Sequence, residues 1–243
     1  MEQKLYCIKS QIMIAPKVFK ITLEGDTPVS VFPGQFVNIK IGGQYLRRPI
    51  SVCNANETKL TLIYKVVGKG TDKLSHMYEG ERLDLLIPLG NGFSTANAGD
   101  RPLLIGGGVG VPPMYFLCRK LTDECRSVHV ILGFNTVEDV FYEDEFKRLG
   151  ADVTVTTADG SYGVRGFVTA AMNSIDYSYF YSCGPEAMLR AVYDASNTDG
   201  QLSFEERMGC GFGACMGCSC RTKYGARRIC KDGPVLNKEE IIW

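Results

Sequence analysis

Five of the ten cysteines lie between residues 210 and 230. Cys210, Cys215 and Cys218 follow the spacing C-x4-C-x2-C, Cys220 comes two residues later, and Cys230 closes the set, with Gly209, Gly211, Gly213 and Gly217 interleaved. That density has a chemical reason: thiolates that hold iron must converge on one small volume. The glycines let the backbone take positive φ and turn N–H groups toward sulfur. The order C-x4-C-x2-C…C is that of a plant-type [2Fe–2S] cluster. Four cysteines also satisfy tetrahedral Zn²⁺, although zinc sites more often come as paired C-x2-C knuckles. A redox cluster needs an electron source, and the rest of the chain is read for one.

With 243 residues the chain has room for two compact units, each with its own core, and a small appendage. Lys plus Arg and Asp plus Glu both total 27, so nothing suggests a nucleic-acid footprint or a polybasic membrane patch. The first residues, Met1-Glu-Gln-Lys-Leu-Tyr6, contain no long apolar run, so export is not expected. The cysteines then read as thiols and metal ligands of a cytoplasmic protein and not as disulfides. Pro102 to Cys118 carries no charge, but its four glycines and three prolines make it a strand, loop and helix start, not a membrane span.

From Leu5 to Ile87, short runs rich in β-branched and aromatic residues alternate with Gly, Pro, Asn and Asp. Val18–Leu23, Phe36–Ile41, Lys59–Val67 and Arg82–Ile87 are the clearest, and their spacing predicts a small antiparallel barrel. Two loops are expected to carry chemistry. In Leu46-Arg-Arg-Pro-Ile-Ser-Val52 the proline keeps the chain extended, so Arg48 could reach a diphosphate while Ser51 serves a ring nitrogen; the plain alternative is a strand end with solvated arginines. In Val66–Ser75, Gly68 and Gly70 precede Thr71 at a helix start, which offers N–H groups to a phosphate or is simply a capped turn.

The next hundred residues switch to strand–helix alternation, the pattern of a parallel sheet covered by helices. Pro102-Leu-Leu-Ile-Gly-Gly-Gly-Val-Gly-Val-Pro-Pro reads as a buried strand, a glycine turn and a helix opened by prolines, where the backbone can approach a pyrophosphate. Ser127–Phe134 is a second strand, in which His129 reads as a core histidine. Val137–Leu149 is expected as one helix, and Asp152–Thr157 as a third strand leading to Asp159-Gly-Ser161. Tyr179-Phe-Tyr-Ser-Cys-Gly-Pro reads as strand, turn and helix, placing Cys183 at a sheet edge beside a helix N-terminus expected to lower its pKa. No arginine or lysine follows Gly133 through Asp139, which favours NAD over NADP.

Taken in order, Arg-Pro-Ile-Ser51, Tyr64-Lys-Val-Val-Gly-Lys-Gly-Thr71 and Pro88-Leu-Gly-Asn-Gly-Phe93 resemble the FAD-binding barrel of the ferredoxin–NADP reductase superfamily. That resemblance implies that Arg48, Pro49, Ile50 and Ser51 line the flavin and its diphosphate. It puts Ile63, Tyr64 and Lys65 on the ribityl and adenosine side, and Gly70 and Thr71 on the phosphates. Gly107, Gly108 and Gly110 then belong to the nicotinamide nucleotide, and Cys183, with Gly184 and Pro185, faces the nicotinamide as a positioning group. Ser51 and Cys183 are the residues it places at the reacting rings. Over its whole length, through Glu206-Arg-Met-Gly-Cys-Gly-Phe-Gly-Ala-Cys-Met-Gly-Cys218 and Cys230-Lys-Asp-Gly-Pro-Val235, the chain resembles the electron-transfer subunits of type B, NAD-linked dihydroorotate dehydrogenases.

The resemblance implies an FAD barrel at residues 1–98, an NAD-binding α/β unit at 99–200 and a [2Fe–2S] unit at 201–243. It assigns Cys210, Cys215, Cys218 and Cys230 as ligands, with Cys220 the alternative to Cys218. The implied partner is an FMN-containing subunit that oxidises dihydroorotate, in a heterotetramer with two of each, serving pyrimidine biosynthesis. The order has a physical logic: nicotinamide exchanges hydride, a cluster exchanges single electrons, and a flavin does both. Related flavin and iron–sulfur subunits of a ferredoxin–NADP transhydrogenase or a sulfide dehydrogenase are the alternatives within enzymes. A zinc-stabilised interaction module is the alternative outside them.

Overall fold

The computed structural model describes residues 1–243. The first unit is a closed antiparallel barrel of six strands: β1 (Glu2–Ala15), β2 (Val18–Gly25), β3 (Phe36–Lys40), β4 (Arg48–Ala55), β5 (Lys59–Lys65) and, after the short helix α1 (Lys69–Ser75), β6 (Arg82–Leu89). Their order around the barrel is β1-β2-β5-β4-β3-β6. Strict alternation in β6, whose every second residue is buried, shows why these sequences choose strand: Leu83, Leu85 and Ile87 fill the interior with Ile8, Ile21, Val37, Ile39 and Leu62. Each such side chain contributes about 1.5–3 kcal/mol by leaving water.

The expected loop Leu46–Val52 is instead the start of β4. Its residues 48–51 hydrogen-bond to β3 only, with Pro49 opposite Asn38 and Ser51 opposite Phe36, whereas pairing to β5 begins at Val52 opposite Leu62 and is interrupted by a bulge before Asn54. Proline is tolerated because that half of the strand has one open edge. Residues 63–65 of β5 pair only with β2. The barrel wall is therefore split between Arg48–Ser51 and Ile63–Lys65.

The second unit is a seven-stranded sheet made of β7 (Pro102–Gly107), β8 (His129–Phe134), β9 (Asp152–Thr157), β10 (Val164–Arg165), β11 (Tyr179–Cys183), β12 (Gly200–Ser203) and a last strand, Val235–Asn237. The helices α2 (Val111–Asp123), α3 (Glu143–Arg148), α4 (Val168–Met172) and α5 (Glu186–Ala195) connect its strands. The order is β10-β9-β8-β7-β11-β12 and then the last strand, which alone runs antiparallel. Chain direction across the sheet reverses between β7 and β11, so the carboxyl ends of these two strands form the crevice where open α/β sheets bind ligands. Between Cys210 and Cys230 lies a hairpin, β13 (Ser219–Thr222) and β14 (Gly225–Arg228), which makes the final strand β15. Two strands of the 201–243 segment or its border, β12 and β15, thus complete the nucleotide sheet.

The single helix expected over Val137–Leu149 is broken. Val137–Asp139 makes one 3-10 turn, Tyr142 takes a left-handed φ of 70°, and α3 covers only Glu143–Arg148. Burial is the reason: Phe141 and Tyr142 turn inward onto Phe134 and Tyr115 in edge-to-face contact, and a continuous helix would leave one of them outside. The barrel and the sheet share a core, with Ala15, Val18, Cys53 and Ile63 packed among Leu104, Met114, Leu117 and Tyr142. Arg119 of α2 also donates to the Ala55 carbonyl at 2.9 Å. A second shared core joins Phe36 and Leu89 of the barrel to Cys218, Ile229 and Cys230. No helix is long and apolar enough to cross a membrane.

Candidate functional site

Three adjoining features make the site: the split in the barrel wall, the crevice at the sheet's switch point, and the thiol loop.

Along the split, the structure brings Arg48 to α1. The Arg48 guanidinium lies where a side chain on Gly70 would have to stand, and it donates to Gln44 Oε1 at 2.9 Å. The absence of a Cβ at Gly70 is what lets a cation lie flat against the helix start. Thr71 is differently employed: its hydroxyl accepts from the Val67 and Gly68 N–H groups at 3.0 and 3.3 Å and donates to the Gly68 carbonyl, closing the turn itself. Ile63 and Tyr64 have their side chains committed to the cores, Tyr64 through a hydrogen bond from its hydroxyl to Gln11 Oε1 at 3.0 Å, and burial pushes that hydroxyl's pKa up. What they offer the split is main chain, while the Lys65 side chain is exposed.

Lys65 and Val18 are also barrel residues at the edge of a cavity of about 670 Å³ that opens over the switch point. Its walls include Gly107, Gly108 and Gly110 after β7, Gly184 and Pro185 after β11, and Met188, Thr156 and Phe167. Close approach requires glycine at 110, where a Cβ would collide with the Cys183 carbonyl, and a Cβ on Gly107 would meet the Met188 Sδ. A tightly packed, side-chain-free turn at a helix start is a surface a dinucleotide backbone can approach. Cys183 itself stands one layer behind Gly184 and Pro185, only 2% exposed. Burial pushes its thiol up to about 12, which corrects the expectation of a lowered value: depth outweighs the adjoining helix N-terminus. The group is a neutral thiol at physiological pH.

Beyond β9, Asp159 Oδ1 accepts from the Ser161 N–H and hydroxyl at 3.0 and 2.7 Å, and Ser161 Oγ accepts from the Val137 N–H at 2.8 Å. These contacts tie the loops after β8 and β9 together at one end of the cavity. His129, in contrast, sits at the opposite, amino end of its strand, with Nε2 2.9 Å from Thr154 Oγ1 and its pKa lowered by burial. It is a half-buried strand histidine remote from the cavity, and not the core residue expected.

The thiols come in two pairs. Cys210 and Cys215 face each other, with the Cys210 N–H 3.5 Å from Cys215 Sγ and the Ala214 and Cys215 N–H groups 3.2 and 3.4 Å from Cys210 Sγ. Burial alone would raise the Cys210 thiol, but the N–H groups of Phe212 and Cys215, the Cys215 thiol and the Ala214 N–H together bring it down to about 6. Cys218 and Cys230 form the second pair, both buried, with the Cys230 N–H 3.4 Å from Cys218 Sγ. Burial and the hydrogen bond to Cys218 hold the Cys230 proton on, up to about 12. Two pairs of sulfurs within one loop, one already cradled by main-chain donors, suit two irons with two thiolates each. Cys220 stands apart on β13, opposite Arg227. The loop is braced by Arg228, which donates to the Gly213 carbonyl at 2.9 Å and pairs with Asp232 at 3.1 Å.

Two residues at the site were not legible as such. Asn38, on the outer face of β3, donates from Nδ2 to the Cys210 carbonyl at 3.2 Å; its signal was a lone amide in an otherwise apolar strand interior. Glu205 lines the cavity and is exposed to solvent, and desolvation by the neighbouring wall raises its pKa. Nothing in its local sequence separates it from Glu206.

Barrel, switch-point crevice and thiol loop define an oxidoreductase of the ferredoxin-reductase fold. The chain shares this fold with a solved NADH-dependent reduced ferredoxin–NADP oxidoreductase, at a TM-score of 0.90 and 29% identity over 98% of this chain and 90% of that one. A ferredoxin reductase of carbazole 1,9a-dioxygenase superimposes on 80% of the chain with a TM-score of 0.72 and 22% identity. Residues 205–242 match the iron–sulfur cluster binding domain of dihydroorotate dehydrogenase B, and residues 104–194 match the oxidoreductase NAD-binding domain. The dihydroorotate dehydrogenase B (NAD(+)) electron transfer subunit of Bacillus mycoides is 42% identical over 258 aligned positions, covering 100% of this chain and 99% of that protein. The corresponding subunit of Bacillus pumilus is 42% identical over 99% of this chain and 98% of that protein. The chain belongs to this family of electron transfer subunits.

Proposed function

We propose that the chain passes electrons between an FMN-containing, dihydroorotate-oxidising partner and NAD⁺, through a [2Fe–2S] cluster and FAD, in a cytoplasmic complex of two copies of each subunit. The observation that carries this is that the thiol loop packs on the outer face of β3 while the split, with its Arg48 cradle, opens on the far edge of the adjacent strand β4. Cluster and flavin sites are thereby neighbours in one wall.

The bound groups supply the redox chemistry: hydride exchange at nicotinamide, single electrons at the cluster, and both at the flavin. The chain's own residues position them. Arg48, with Gly70 and Thr71 shaping the turn beneath it, holds the flavin diphosphate. Pro49, Ile50 and Ser51 would line the ring along the open edge of β4, and Ile63, Tyr64 and Lys65 would meet the ribityl and adenosine side across the split. Gly107, Gly108 and Gly110 admit the nucleotide backbone, and Gly184 and Pro185 wall the nicotinamide end. Cys183, neutral and buried, fixes the shape of that wall and takes no part as a nucleophile. Cys210, Cys215, Cys218 and Cys230 hold the irons. Residues 1–98, 99–200 and 201–243 correspond to the FAD, NAD and cluster units, with β12 and β15 joining the last two.

The test is co-expression with an FMN-containing dihydroorotate-oxidising subunit. NAD⁺-dependent formation of orotate by the purified complex is the expected result, with about two irons per FAD in this chain. Failure to form a complex, or a colourless chain holding one zinc, overturns the reading.

A further inference from the structure

We propose that Asn38 is the positioning residue for Cys210, locking the first thiol of the loop to the strand pair that borders the split; this rests on the [2Fe–2S] reading above. Strand β3 alternates, with Val37 and Ile39 in the barrel core and Phe36 in the core shared with Cys218 and Cys230. Asn38 lies on the same outward side as Phe36 and is 1% exposed. Its Nδ2 donates to the Cys210 carbonyl at 3.2 Å, and because a carbonyl only accepts, this contact fixes which way the amide faces. Gly211, the next residue, has φ +78° and no room for a side chain, since Asn38 Nδ2 stands where its Cβ would be. The amide therefore both bonds to the ligand segment and blocks its movement.

Asn38 is held from behind as well. Arg47 Nη1 donates to the Asn38 carbonyl at 3.2 Å and to the Asp84 carbonyl at 2.9 Å, while Nη2 pairs with Asp84 Oδ1 at 3.0 Å. These contacts clamp β3 to β6 beside Asn38. Across the ladder Asn38 is opposite Pro49, so a single side chain ties the Cys210 main chain to β3, and the β3–β4 ladder carries that tie to the strand whose far edge borders the split. Stability of the barrel alone does not account for the amide. Its Oδ1 is buried with no donor, a cost that an apolar side chain of similar size would not carry. The donor to Cys210 is what the amide supplies and leucine does not. Partners that orient a metal ligand from outside commonly govern how tightly the metal is held and at what potential it works.

The test uses the full chain, purified anaerobically with its cofactors, as wild type, Asn38→Leu and Asn38→Asp. Leucine keeps the bulk without the donor, and aspartate keeps the shape but sets an oxygen against the Cys210 carbonyl. The readouts are iron release to a chelator, the electron paramagnetic resonance spectrum and midpoint potential of the reduced cluster, flavin content and thermal midpoint. The expected result is roughly 10- to 100-fold faster iron release in both variants. Altered g-values and a shifted potential accompany it, and Asn38→Leu keeps its flavin and thermal midpoint. Wild-type iron release, spectrum and potential in Asn38→Leu would overturn the proposal. So would loss of flavin together with iron in both variants, which marks a barrel-folding role. Absence of iron from the wild type would instead defeat the cluster reading itself.

Discussion

A side chain on Gly110 has nowhere to go, because its Cβ would run into the carbonyl of Cys183. The turn after β7 and the end of β11 touch backbone to backbone, and this closeness shapes the floor of the cavity. Gly110→Ala must push the two strand ends apart. The expected cost is about 1–3 kcal/mol of stability, as for other overpacked sites. Because the displaced atoms wall the end of the cavity proposed to take the nicotinamide, flavin reduction by NADH should fall more steeply than the thermal midpoint does. Stopped-flow reduction alongside a melting curve separates the two, and an unchanged reduction rate would show that the floor tolerates the shift.

Arg48 and Gly70 make a second such pair, in which a guanidinium occupies the space a methyl group would need. Removing the charge with Arg48→Ala should weaken FAD binding by about 1.5–3 kcal/mol, the usual worth of a hydrogen bond to a charged group. Gly70→Ala should act in the same direction by displacing the arginine. Arg48→Lys should restore only part of the affinity, since an ammonium lacks the planar fork. Equilibrium titration of the apoprotein with FAD measures all three. Equal affinity of Arg48→Ala and wild type would remove Arg48 from the flavin site.

How much of this was readable beforehand follows from what each signal depends on. The thiol loop was legible because ligand spacing is local and the chemistry of cysteine is narrow. The barrel and the parallel sheet were legible through their two periodicities. The strand status of Arg48–Ser51 was hidden by Pro49, which is compatible with a strand only because one edge is open, and an open edge is a property of the neighbours. The break at Tyr142 was hidden for a similar reason: the acidic run from Glu138 favours a helix locally, and burial of Phe141 and Tyr142 overrides it. Sequence placed Cys183 beside a helix N-terminus correctly, yet it carries no measure of depth, and depth sets its pKa. Asn38 meets Cys210 across 172 residues, a pairing no single-sequence pattern encodes.

The depth of Cys183 leads to a pH prediction. Its thiol is raised from 9.0 to about 12, so the folded state favours the protonated form. The stabilisation this brings is fully present below the unfolded value of 9.0 and is lost as pH rises through about 12. Cys53 and Cys118, both buried and both raised to about 12, act in the same sense. The urea midpoint should therefore decline as the solution is made more alkaline than 9.0. Iodoacetamide should label the Cys183 peptide slowly in the native protein and quickly once unfolded. Rapid native labelling at neutral pH would show a thiolate, and with it a reactive role.

The thiol pairs predict different fates for neighbouring cysteines. Cys215 faces Cys210 within one pair, so Cys215→Ser should cost the chain its iron absorbance and stop electron flow to the partner subunit, while NADH still reduces the flavin. If NADH could no longer do so, the order of carriers would be wrong. Cys220 lies on β13 across from Arg227, outside both pairs, whereas Cys218 is buried against the Cys230 N–H. Cys220→Ser should accordingly keep its iron, its visible spectrum and its electron transfer to the partner. Cys218→Ser should lose all three. The opposite result would exchange the two residues in the ligand set and would require the hairpin β13–β14 to turn over when the cluster is inserted.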